Sequence, residues 1–160
     1  MALIFTGSTR CVICHEVIEK GQDYVAFPAF VSNKRDPLII FHDGACHQDC
    51  FTNHPLAPVA QNRLAELDIH GKRPYLCTVC GLEISHPDEF FTLAHWTDDT
   101  DSKLYAFNYL KFHVSHLSQW PRLNELYELL LELEKSGTWE GKTLPYIIET
   151  VRKHRATPRG

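Results

Sequence analysis

The sequence of 160 residues has no apolar run approaching the ~20 residues that cross a bilayer, so no membrane partner is expected. Its opening, MALIFTGSTR, lacks both the basic start and the apolar stretch of a secretory signal, which points to a cytoplasmic protein. Positive charge is also scarce: 16 Lys and Arg against 20 Asp and Glu leave a net charge of -4. No overall basic field therefore draws in phosphates, and non-specific nucleic-acid binding would need a local patch. The tail residues Arg152, Lys153, His154, Arg155 and Arg159 offer one, although cations at a helix end also serve simply to complement the macrodipole. With 44% hydrophobic and 22% charged residues the composition is that of a folded chain, and disorder is a poor reading.

What is present is a pattern of cysteine and histidine. The chain holds 6 cysteines, four of them in two C-x-x-C pairs, Cys11 with Cys14 and Cys77 with Cys80. Histidines follow downstream of each pair. Without a secretion signal, this arrangement favours thiolates bound to metal over disulfides.

Shifting the sequence on itself by 66 residues places Cys11 on Cys77, Cys14 on Cys80, His47 on His113 and Cys50 on His116 without a gap. The same shift pairs Ile18 with Ile84, Leu38 with Leu104, Phe41 with Phe107 and Pro55 with Pro121. Identities alone are few. The common register of all four metal-ligating positions carries the inference of an internal 66-residue repeat. One unit covers residues 8–56 and the other 74–121; 57–73 form a helical linker, 122–155 C-terminal helices and 156–160 a tail.

Within each copy the C-x-x-C occupies a tight turn, and aromatic and β-branched residues then predict two strands, 24–31 and 38–42 in the first copy and 90–97 and 104–108 in the second. The remaining ligand pair follows at i and i+3, a spacing that shares one helix face. A cysteine turn, a hairpin and two ligands at a helix start together resemble the treble-clef zinc finger shared by LIM, RING-related and HNH modules. The resemblance implies an α+β fold of two tandem treble-clef-like zinc modules with a C-terminal helical extension. It implies little about function.

Four sulfur and imidazole ligands satisfy a tetrahedral zinc ion and leave no open position for water. Two structural Zn2+ per chain are therefore expected, one on Cys11, Cys14, His47 and Cys50, the other on Cys77, Cys80, His113 and His116. Units of this size bury too little core alone, and a metal supplies the missing closure. A helix start is expected to help hold Cys50 as thiolate. Cys46, at i and i+4 with Cys50, offers a rival all-cysteine set; the repeat sets it opposite Phe112 and favours His47.

Between and beyond the copies, Val59, Leu64, Leu67 and Ile69 suggest a helix ending near Gly71, and its apolar residues suggest fixed packing between the copies. The leucines at 123, 126, 130 and 133, broadened by Leu129 and Leu131, predict a helix packed on the second copy. Residues 144–153, with Pro145 near their start, predict a last helix, and Trp139 in the connector is expected to pin it to the core.

No nucleophile, base and orienting group fall into a pattern, so no reaction and no catalytic residue is expected. His42 and Asp43 sit where HNH nucleases carry catalytic histidines, but the repeat aligns them with Asn108 and Tyr109, a departure from that family. The resulting expectation is a non-catalytic interaction protein whose partner is another protein. The alternative is nucleic-acid binding through Lys34, Arg35, Lys72, Arg73, Lys103 and Lys111, decided by whether these cations cluster.

Overall fold

Short hairpins and single-turn helices, each tied to a knuckle of chain, build the first half of the molecule. The computed structural model describes residues 3–155 and divides into two compact units, the first running to Leu67 and the second starting at Asp68.

In the first unit a bridge between Arg10 and Val17 closes the turn that carries the first C-x-x-C. Strand β1 (Tyr24–Ala26) then pairs antiparallel with β2 (Ala45–His47), placing Tyr24 opposite His47 and Val25 opposite Cys46. A five-residue helix α1 (Gln48–Thr52) follows directly, and α2 (Ala57–Gly71) begins after the Asn53 cap and a turn.

The second strand is not where the sequence pattern put it. Residues 38–42 were expected to be extended, yet Pro37–Phe41 form a 3₁₀ helix and the pairing strand lies just before the ligands. The cause is local. Asp36 accepts a hydrogen bond from the Leu38 amide at 2.8 Å, Pro37 presets φ at the first helical position, and Leu38 and Phe41 both turn inward. A spacing of three matches the 3₁₀ repeat, and so short an apolar run reads equally as strand or helix.

The second unit contains the same succession. A bridge joins Leu76 and Glu83, β3 (Phe90–Thr92) pairs with β4 (Lys111–His113), and a 3₁₀ helix, Lys103–Phe107, lies where 104–108 was expected as strand. Here Ser102 supplies the cap, accepting from the Leu104 amide at 3.3 Å. Backbone singularities coincide at the same offset: His15 with Gly81 and Asp43 with Tyr109 all have positive φ. The ligand helix of this unit is itself 3₁₀, Val114–Gln119.

Each unit has its own core. In the first, Phe27, Phe41 and Phe51 meet with ring centroids 5.1 to 5.5 Å apart. Helix α2 adds Ala57, Ala60 and Arg63 as its buried face, with Leu64 and Leu67 half-buried. Of the apolar residues expected there, Leu64 and Leu67 pack on the core while Val59 and Ile69 face solvent, and Arg63 pairs with Asp36.

In the second unit Phe107, Phe112 and Trp120 form the centre. Helix α3 (Leu123–Ser136) buries Leu123, Leu126 and Leu130 against them, and α4 (Thr143–Arg155) closes with Leu144, Ile147, Ile148 and Val151. Gly137 ends α3 in the left-handed region, at φ 66, where the absence of Cβ removes the strain. Trp139 packs on Trp96 at 5.3 Å within this cluster. No helix among the described residues is long and apolar enough to cross a membrane.

Candidate metal centres

Two features of the backbone aim the first ligand pair inward. The Cys11 amide donates to Glu16 O at 2.8 Å and the His15 amide to Cys11 O at 2.9 Å, folding the knuckle so that both sulfurs face one side. The Val12 amide then docks the knuckle on β2 through Ala45 O at 2.9 Å. Gly44 accommodates that approach: a Cβ there would stand 2.8 Å from Val12 Cγ1. Around the second knuckle the equivalent bonds are Cys77 N to Leu82 O, Gly81 N to Cys77 O and Thr78 N to Lys111 O.

Strand alternation selects the next ligand. Successive side chains of β2 point to opposite faces, so Cys46 enters the aromatic core while its neighbour His47 faces the knuckle. Burial, reinforced by the nearby sulfurs of Cys11, Cys50 and Cys14, pushes the Cys46 thiol up to about 12. It is a neutral core residue outside the cluster.

The structure brings together Cys11, Cys14, His47 and Cys50, and separately Cys77, Cys80, His113 and His116. Within each set the potential ligand atoms lie within 4.8 Å of one another, and each set can hold a metal ion. Cys14 Sγ is 3.4 Å from His47 Nδ1 and Cys50 Sγ 3.8 Å; in the second set, Cys80 Sγ is 3.5 Å from His113 Nδ1 and Cys77 Sγ 3.9 Å from His116 Nδ1. The first cysteine of each knuckle is buried and the second exposed.

The electrostatics of the sulfurs follow from these positions. Burial alone would raise the thiols of Cys11 and Cys77, but amide N–H groups of the knuckle and of the histidine strand aim at them. Cys11 receives those of Cys14, Ile13 and His47, and Cys77 those of Cys80, His113 and Val79; each settles at about 6. Cys50 moves the other way, to about 11, through burial and then the crowding of Cys14 and Cys11. The help expected from a helix start is overcome here, since α1 has only five residues and Cys50 sits at its third. A cation bound between the sulfurs reverses that repulsion.

One supporting residue escaped the sequence pattern. Gln22 Oε1 accepts from the Glu19 amide at 2.7 Å and faces His47 Nε2 at 3.1 Å, so that Nε2 carries the proton and Nδ1 is left as a lone pair aimed at the cluster. The aligned position in the other copy is Asp88, and no periodicity marks either.

His42 Nδ1 accepts from the Val31 amide at 3.0 Å, and Asn108 does the corresponding work for Trp96 at 2.7 Å. The two side chains share the accepting role, and Asn108 also donates from Nδ2 to Thr97 O at 2.8 Å.

Two groups of the cations named from sequence have distinct surroundings, and Lys103 lies among Glu125, Glu128 and Glu132. Those of the tail interleave with carboxylates: Arg152 and Lys153 with Glu149, and Arg155 with Glu128. Arg159 lies outside the described residues. Lys72, Arg73 and Lys111, in contrast, gather around Tyr75, with Arg73 Cζ and Lys111 Nζ each 5.3 Å from its ring centroid. Compared with family models, curated proteins and solved structures, the chain matches none. The class defined by fold and site is an α+β protein with two Cys/His clusters, each able to hold a metal ion.

Proposed function

We propose that the chain binds two structural zinc ions, that its units are copies of one treble-clef module, and that it acts as a non-catalytic interaction protein whose partner is another protein. The carrying observation is the pair of four-ligand Cys/His clusters at one sequence offset. Zinc bonds of about 2.3 Å to sulfur and about 2.0 Å to nitrogen, set at the tetrahedral angle, separate the two atoms by roughly 3.5 Å. The sulfur-to-nitrogen distances of 3.4 to 3.9 Å in both clusters suit that ion.

The repeat is supported by more than ligands. Capping residues Asp36 and Ser102, the positive-φ residues and the knuckle bridges all recur at the same offset. Four protein ligands leave no position for a substrate or an activated water, so the ions hold the fold together and perform no reaction. Exposed apolar side chains, among them Ile39, Ile40, Leu82 and Tyr146, give a partner protein surface to bury.

Metal analysis of protein purified without added zinc should find two zinc ions per chain, falling to about one in the His113→Ala, His116→Ala variant. An unchanged count in the variant contradicts the assignment. For the partner, capture from the native host should yield a protein that is recovered by the wild type and lost with the variant.

A further inference from the structure

Among the surfaces of the second unit, one small cleft combines positive charge with aromatic faces and has no carboxylate in its lining. It holds about 250 Å3, and among its walls are His70, Lys72, Tyr75, Thr78, Tyr109 and Lys111. Arg73 leans over the Tyr75 ring beside it. Three of the cations that the sequence scattered over 40 positions therefore meet at one place, in a chain whose net charge is -4.

We propose that this cleft binds the phosphodiester backbone of single-stranded nucleic acid. Lys111 is half-buried, and of its three ammonium hydrogens only one has a hydrogen-bond acceptor, His70 O at 2.6 Å. Two donors remain in the cleft for a phosphate. Lys72 is paired only with Asp68, and both side chains are about two-thirds exposed, so solvent weakens that pair and leaves the ammonium to a polyanion.

The size and walls select the class of ligand. A volume of 250 Å3 is below that of pockets that enclose a whole small molecule, and suits one unit of a polymer that continues over the surface. His70 is exposed and stacks on Tyr109, centroids 4.9 Å apart. Ile69 and Leu76, at 66% and 54% exposure, supply apolar surface nearby. Unstacked bases can use such surfaces; the bases of a duplex, stacked on each other, cannot. The site is independent of the protein-partner reading, since neither its cations nor its aromatic residues are metal ligands.

The test uses the zinc-loaded full chain and a fluorescein-labelled 15-nucleotide single strand of mixed sequence, followed by anisotropy. Saturable binding should weaken about 15-fold between 50 and 200 mM salt, corresponding to a log–log slope of about -2 for three phosphate contacts. Lys72→Glu with Arg73→Glu should lower affinity at least tenfold at unchanged zinc content and circular dichroism, while Lys34→Glu with Arg35→Glu in the first unit should not. No saturable binding, equal binding by the Lys72, Arg73 variant, or equal binding of the matching duplex overturns the proposal. So does competition by a phosphoserine peptide as effective as the unlabelled strand at equal phosphate.

Discussion

At the scale of single residues, Gln22 braces one ligand of the first cluster. Its carbonyl oxygen fixes the tautomer and tilt of His47, and partners of that kind are worth about 10- to 100-fold in metal affinity. Gln22→Ala should therefore weaken zinc at the first cluster by about tenfold in a chelator competition and leave the second unchanged. Equal affinities in variant and wild type would show the contact to be incidental. The eight clustered residues were legible in the sequence because their spacing repeats; Gln22 was not, because a bond across 25 positions leaves no local trace.

The thiols of Cys11 and Cys77 add a pH dependence. Both lie at about 6 in the fold against an ordinary 9.0. A folded-state value below the unfolded one gives a contribution fully present above 9.0 and lost as pH falls through about 6. In the loaded protein the cation competes with protons for the same sulfurs, so both ions should stay in place at about pH 6 and above and be released only at lower pH. The second cluster should go first, since its two thiolates, against three in the first, hold a cation with less negative charge. An indicator dye that registers release above pH 7 would contradict this sign.

At the scale of elements, the two 3₁₀ helices show how a cap decides between readings that periodicity leaves equal. Both begin with a side chain that accepts from an amide two residues on, but Asp36 also bonds Arg63, which is only 4% exposed, while Ser102 has no such second task. Ser102→Ala should cost about 1 kcal/mol, the usual value of a lost cap. Asp36→Ala should cost about 3 kcal/mol, because it also removes the carboxylate from a buried guanidinium. Urea denaturation compares the two, and equal losses would mean that the ion pair contributes nothing. The strands expected at 38–42 and 104–108 failed for this reason. Leu38 and Phe41 are core residues, but the run Leu-Ile-Ile-Phe is apolar throughout and shows no period that would separate strand from helix. The long helices were easier, since the leucines of α3 repeat over several turns and leave only one face to bury.

At the scale of the molecule, the proposed ions and the fold should share one equilibrium. Hairpins of three-residue strands hold little by themselves, so removal of both ions with a strong chelator should abolish the near-ultraviolet circular dichroism of the packed aromatic residues, and added zinc should restore it. Retention of the signal after complete removal would make the ions accessory. The sequence by itself determined which cysteines and histidines belong together, because ligand spacing is a local property preserved by the offset of 66 residues. It also determined the apolar faces of α3 and α4, because helical periodicity is written along the chain. Only the tertiary structure decided that Cys46 turns away while His47 turns in, that Gln22 reaches His47, and that Lys72, Arg73 and Lys111 converge on Tyr75. Those outcomes depend on which strand face meets the core and on contacts between distant positions, and neither is encoded in spacing.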